Sequence, residues 1–234
     1  MSTKSFIAKF LRFIGIVLMG LTAGFTLLGG IGTTCAALAP TNYESMAALA
    51  PFQWLYILFV LVGIVLGVMG IRATVMLVKG ADKSYRDALL VLVAGVVVGF
   101  IHIAASRALR GKSMPVDAVV YTTLFTLVIF LLFRIPFIWQ GVNFQKGSTT
   151  GNLPAGGVAA MLLGILTLTI QYTMAATHTW GSVNYSDTFN TSMGVTGSGL
   201  LLLGVTLMSL GTRTGRLAGR RLLPGREKLL YKPR

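Results

Sequence analysis

A histidine and a serine one helical turn apart are the side chains of this sequence best suited to chemistry within an apolar segment. His102 is followed four residues later by Ser106, and residues with this spacing share one face of a helix with Gly95 and Gly99. An imidazole ionises near neutral pH, so it can carry a proton or sense pH. The alternative is a neutral imidazole that only hydrogen-bonds to a neighbouring helix. Together with Gln171, in another apolar segment, His102 and Ser106 form the candidate polar site.

Three basic residues follow this site directly. Arg107, Arg110 and Lys112 lie between two apolar runs and precede Asp117. A positive cluster of this kind can attract an anionic substrate or partner. The alternative interpretation is one ion pair with Asp117 and two solvated charges.

No motif in the sequence indicates catalysis, a cofactor or a metal. The chain lacks a GxxxxGK[ST] nucleotide loop, an HExxH zinc motif and a GxSxG serine elbow. One cysteine, Cys35, excludes an internal disulfide and a cysteine metal cage, and there are only 2 histidines. We therefore expect no cofactor, no metal and no enzymatic activity.

The composition identifies the surroundings in which these residues act. Hydrophobic residues make up 54% of the 234 residues and charged residues only 11%, against roughly 25% charged residues in soluble domains. Six apolar runs come close to the roughly 20 residues that cross a bilayer as a helix. They cover residues about 13–38, 52–78, 88–107, 118–139, 155–176 and 194–211. The sequence thus predicts an all-α polytopic membrane protein, with a six-helix bundle over residues 1–212.

Basic residues indicate the orientation of this bundle. Residues 40–51 and 177–193 contain no Lys or Arg, whereas the N-terminus, the connection near 79–86 and the tail 213–234 are rich in them. Since Lys and Arg accumulate in cytoplasmic loops, we expect both termini in the cytoplasm. The cluster after His102 is the exception to the rule. Sparse cysteine favours a bacterial plasma (inner) membrane, and the basic tail suits anionic lipid headgroups rather than nucleic acid.

Small residues predict which helix faces pack closely. Lipid supplies little hydrophobic drive for association, so glycines that allow backbones to approach mark helix contacts. In four of the runs, glycines recur at spacings of three, four or seven on one helical face. These glycines are Gly63, Gly67, Gly70, Gly95, Gly99, Gly157, Gly164, Gly197 and Gly204. The fourth run has no glycine, and its Phe125, Phe130 and Phe133 suggest lipid contact or a looser seam.

These observations favour a non-enzymatic integral membrane protein that serves as a subunit or scaffold of a membrane assembly. Many close-packing faces without a catalytic constellation motivate this hypothesis. The alternative is a small uncoupled transporter or channel, with a polar site near His102. Carboxylates are absent from the middle of every predicted span, which argues against ion coupling.

Overall fold

The computed structural model describes residues 3–113, 115–146, 149–180 and 182–221. Over these residues the chain is almost entirely helical, and six helices are long and apolar enough to cross a membrane. The helices are α1 (Thr3–Leu38), α2 (Gln53–Lys79), α3 (Ser84–Arg110), α4 (Val116–Phe133), α5 (Pro136–Val142), α6 (Thr149–Leu168), α7 (Ile170–Thr173), α8 (Ala175–His178) and α9 (Asn190–Arg221).

Short elements connect these helices. Four 3₁₀ segments occupy Pro40–Asn42, Glu44–Phe52, Phe144–Lys146 and Tyr185–Phe189. Two strands of two residues each, β1 (Thr179–Trp180) and β2 (Val183–Asn184), pair antiparallel between α8 and α9.

The fourth and fifth spans end earlier than the sequence predicts. Helix α4 stops at Phe133, and the predicted remainder up to Trp139 belongs to the separate helix α5. Proline at position 136 explains the break, because it lacks an amide hydrogen and disfavours helical geometry in the preceding residue. The fifth span covers Thr149–Leu168, and the residues up to 176 form the short helices α7 and α8.

The sixth span covers Ser186–Thr212, so it begins earlier than predicted and ends within one residue of the predicted limit, while its helix continues further. Helix α9 begins at Asn190 and continues without a break to Arg221, so the first part of the predicted tail 213–234 is helical. Residues 222–234 lie outside the described residues.

Helices α1 to α4 form a ring in which each helix is antiparallel to its neighbours, and α4 closes the ring against α1. Helix α6 packs on the outside of α1 and α2, and α9 packs mainly on α6. Connections alternate between two faces of the bundle. The face with connections 39–52, 111–115 and 169–189 is termed the loop face. The opposite face, at which α1 begins and α9 ends, is termed the terminal face.

The larger cluster of buried hydrophobic residues lies toward the terminal face. Tyr85, Phe130, Phe133 and Phe144 form an aromatic layer there, with ring centroids 5.7 to 6.2 Å apart. The hydroxyl of Tyr85 donates to the carbonyl oxygen of Phe130. This layer closes the interior of the ring at its terminal-face end.

Two of the three phenylalanines expected to face lipid or a loose seam lie in this layer. Phe130 is fully buried and Phe133 nearly so, whereas Phe125 is 57% exposed. The expectation of lipid contact thus fits Phe125 but not Phe130 or Phe133. Because α4 closes the ring without glycines, its large aromatic side chains fill the space that a close backbone approach would otherwise remove.

Glycines bring α6 and α9 into backbone contact. A Cβ on Gly157 would lie 2.7 Å from the carbonyl oxygen of Gly204, and a Cβ on Gly164 would lie 2.8 Å from that of Gly197. Both distances are shorter than real Cβ contacts allow, so alanine at either position would push the helices apart.

The same close approach occurs inside the ring. A Cβ on Gly67 would meet backbone atoms of Leu27 at 2.8 Å, and one on Gly70 would meet the Cβ of Ala23 at 2.8 Å. Between α3 and α4, a Cβ on Gly99 would collide with Val120. The remaining glycines of the predicted faces, Gly63 and Gly95, have neighbours on α1 and α4 at ordinary or slightly tight distances, 3.6 and 3.2 Å.

Candidate functional site

A partly enclosed cavity lies between the four helices of the ring, in the half nearer the loop face. Its volume is about 80 Å³. Glycines form much of its wall, because they place backbone rather than side chain toward the interior. These wall glycines are Gly29, Gly30, Gly63, Gly95 and Gly99.

The cavity ends toward the terminal face at a polar contact. One turn beyond Thr26 and Thr123, which line the cavity, the hydroxyls of Thr22 and Thr126 lie 2.7 Å apart, and both residues are buried. The aromatic layer follows beyond this threonine pair. Along the ring axis, the described side chains thus seal the cavity from the terminal face.

His102 lies in the cavity wall and is held by two aromatic rings of α2. Its imidazole stacks on Phe59 with a centroid distance of 4.3 Å and an interplanar angle of 15°. The ring of Tyr56 meets it edge to face at 5.5 Å. Among the described residues, none hydrogen-bonds to either imidazole nitrogen. The two aromatic rings thus position the imidazole without using its polar atoms.

Ser106 contacts Tyr56 rather than His102. Its Oγ lies 2.8 Å from the hydroxyl oxygen of Tyr56, and the residue is completely buried. It is not part of the cavity lining. The structure therefore connects Ser106 to His102 through Tyr56.

Gln171 belongs to a different part of the molecule. It lies on α7, outside the ring, where its backbone carbonyl oxygen accepts a hydrogen bond from Nδ2 of Asn184 at 3.2 Å. The residues that line the cavity do not include it. The predicted trio is thus divided, and only His102 reaches the cavity.

Tyr56 and Phe59 are the site residues that the sequence analysis missed. A signal for them exists in the sequence, because Tyr56, Phe59 and Gly63 step by three and four residues. They continue the predicted glycine face of α2 toward the loop face. Aromatic residues on the glycine face of α2 were therefore the sequence signal for the two residues that contact His102.

The threonines of the cavity wall bond to their own helices. The hydroxyl of Thr26 donates to the carbonyl oxygen of Thr22 at 2.8 Å, that of Thr33 to Gly29 at 2.6 Å, and that of Thr123 to Val119 at 2.7 Å. Such bonds to the carbonyl four residues earlier satisfy the hydroxyl proton. Among the described residues, no Asp, Glu, Lys or Arg lines the cavity.

The basic cluster after His102 is mostly engaged in local contacts. Arg107 donates to Ser113 at 2.9 Å and pairs with Asp117 at 3.3 Å, and Ser113 also donates to Asp117 at 2.8 Å. Nη1 of Arg110 lies 3.0 Å from the sulfur of Met46, while Lys112 is exposed. These contacts link the two ends of the α3–α4 connection beside the cavity.

A metal-binding group or a related protein would indicate the chemistry of the chain. Within the described residues, no group of three or more His, Cys, Asp or Glu side chains is close enough to hold a metal ion. Comparison with protein-family models, curated proteins and solved structures finds no match to this chain. Its functional assignment therefore rests on its own residues.

Proposed function

We propose that this chain is a non-enzymatic subunit or scaffold of a membrane assembly, and that α9 is the helix that meets its partner. The observation that carries this proposal is the one-sided packing of α9. Gly197, Gly204 and Gly211 are buried against α6. The opposite face of α9 has no described neighbour.

The composition of that outward face supports protein contact. Val195 is 72% and Leu202 is 70% exposed, and they alternate with the exposed small residues Gly199, Thr206 and Ser209. A Cβ on Gly199 would meet no atom within 4 Å, so packing within this chain does not require glycine there. Small residues let a second helix approach closely in lipid.

The proposed setting is a plasma (inner) membrane with both termini in the cytoplasm. The basic residues of the N-terminus and the connection between α2 and α3 support this orientation through the positive-inside rule. The terminal face is then cytoplasmic, and the basic composition of the predicted tail 213–234 suits anionic headgroups on that side. Partners are lipid and other membrane proteins, without a role for nucleic acid or a cofactor.

The test compares complexes extracted from native membranes with a mild detergent. We expect the wild-type chain to migrate with a mass well above that of its 25.0 kDa monomer, and Gly199→Leu with Thr206→Leu to shift it to the monomer. Val97→Leu on the exposed face of α3 is the matched control and leaves the complex intact. A monomeric wild-type protein, or a complex that survives the α9 changes, would contradict the proposal.

A small uncoupled transporter is the second candidate, and the cavity at His102 is the observation that favours it. Transport through the ring requires the Thr22–Thr126 contact and the aromatic layer beyond it to separate. Liposome flux of small neutral solutes that is the same for the wild type and His102→Ala would rule out a path through this cavity.

A further inference from the structure

We propose that the cavity between the four helices of the ring binds a neutral, largely apolar molecule with one hydrogen-bonding oxygen. This oxygen is a carbonyl or a hydroxyl, and His102 anchors it. This site is independent of the partner surface on α9. It gives the four-helix ring a ligand of its own.

The imidazole of His102 is held in place but has no hydrogen-bond partner among the described residues. The face of His102 is covered by Phe59 and one side by Tyr56, so the ring is held in place while its nitrogens have no hydrogen-bond partner among the described residues. The side chain is half-buried, and its N–H is available to an oxygen that enters the cavity. Both a carbonyl and a hydroxyl oxygen can accept from an imidazole N–H.

The described wall of the cavity carries no charged side chain. The cavity lining consists of glycines, aliphatic side chains, one phenylalanine, one proline and three threonines besides His102. The threonine hydroxyl protons are engaged by their own helices. An ionic ligand would lose its hydration without compensation, so the site selects a neutral molecule.

The volume of the cavity limits the part of a ligand that it can hold. A cavity needs roughly 10–15 Å³ to hold one water, and an apolar cavity of about 150 Å³ accepts benzene. At about 80 Å³ the site lies between these cases and fits the polar end of a longer molecule. Because the cavity is only partly enclosed, the apolar remainder of such a ligand can extend through its opening.

The wall glycines set this size. A Cβ on Gly30 would already lie 3.2 Å from the backbone nitrogen of Ile64, and one on Gly95 would lie 3.2 Å from the methyl group of Thr123. Backbone therefore forms the wall at these points. Larger residues would either fill the space or force the helices apart.

The experiment uses full-length protein in lipid nanodiscs with three probes of matched length: 2-octanone, 2-octanol and octane. The readout is the ¹⁵N resonance of the His102 imidazole during titration, in a His178→Gln background that removes the other histidine signal. We expect the ketone and the alcohol to shift this resonance saturably. Octane should bind about five- to tenfold more weakly, as the loss of one hydrogen bond implies.

Two variants test the role of His102 and of the cavity separately. His102→Phe keeps an aromatic ring beside Phe59 and should remove the preference for ketone and alcohol over octane, measured by saturation-transfer NMR of the probes. Val98→Phe adds bulk to the wall and should weaken all three probes. Val97→Phe adds the same bulk at a neighbouring position of α3 that is 54% exposed and does not line the cavity; it is the control and should bind like the wild type.

The proposal fails if the resonance of His102 does not respond to ketone or alcohol, which would indicate a cavity occupied by water alone. It also fails if the three probes bind equally to the wild type, or if His102→Phe retains the preference. Size-exclusion profiles and helical content must match those of the wild type for each variant. If Val98→Phe does not fold, the comparison of His102→Phe with Val97→Phe still decides the result.

Discussion

The hydroxyl oxygens of Tyr56 and Ser106 lie 2.8 Å apart at the contact between α2 and α3, where both side chains are buried. This bond fixes the tyrosine ring that meets His102 edge to face. It therefore connects the stability of the helix contact to the position of the imidazole in the cavity wall.

Removing both hydroxyls should destabilise the protein by less than the sum of the two single removals. Ser106→Ala leaves the hydroxyl of Tyr56 buried without a partner, and we expect it to lower the free energy of unfolding by about 1–3 kcal/mol. Tyr56→Phe should cost a similar amount. The double variant should cost clearly less than the sum of the two, as measured by denaturant unfolding in detergent micelles. Strict additivity would show that the two hydroxyls do not interact.

Alanine at the closest glycine contacts should separate helices that now touch. Gly67→Ala places a methyl group 2.8 Å from the backbone of Leu27, and Gly204→Ala drives one into Met161 and the carbonyl oxygen of Gly157. We expect each change to lower the free energy of unfolding by about 1–3 kcal/mol, the usual cost of overpacking.

Gly199→Ala is the matched control for these two variants, because a methyl group there meets no neighbour within 4 Å. The higher helix propensity of alanine makes this variant as stable as the wild type or slightly more stable in detergent. A loss of stability equal to that of Gly204→Ala would mean that the close contact between α6 and α9 does not determine the effect.

Two phenylalanines of α4 should respond in opposite ways to truncation. Phe130 is fully buried in the aromatic layer, and Phe130→Ala should lower the free energy of unfolding by about 3–5 kcal/mol because it leaves a cavity. Phe125 is 57% exposed, and Phe125→Ala should change that free energy by less than about 0.5 kcal/mol. Equal effects in the same unfolding assay would be incompatible with the described orientation of α4.

Single cysteines in a Cys35→Ser background test the proposed orientation. Asp187→Cys lies on the loop face and should react in intact cells with a thiol reagent that does not cross the membrane. Lys83→Cys lies between α2 and α3 on the terminal face and should react only after the membrane is permeabilised. The reverse pattern would invert the topology and place the basic loops outside.

The sequence predicted the six spans because their signal is local. Runs of apolar residues, alternating basic loops and glycines at helical spacing can each be recognised within one segment. Even the break after Phe133 had a local sign, Pro136, although the apolar run continues through it to Trp139. The prediction followed the apolar composition rather than the proline, and the predicted span was therefore too long.

Only the tertiary structure decided what the helices enclose. Gln171 resembles His102 as a polar residue in an apolar run, yet it lies on α7 outside the ring. Tyr56 and Phe59, which hold the imidazole, come from a different helix and are separated from His102 by more than forty residues of sequence. Phe125 and Phe130 have the same side chain on the same helix, but only Phe130 faces the interior. Local pattern determines whether a segment enters the membrane, while the partner of each helix face depends on packing between distant segments.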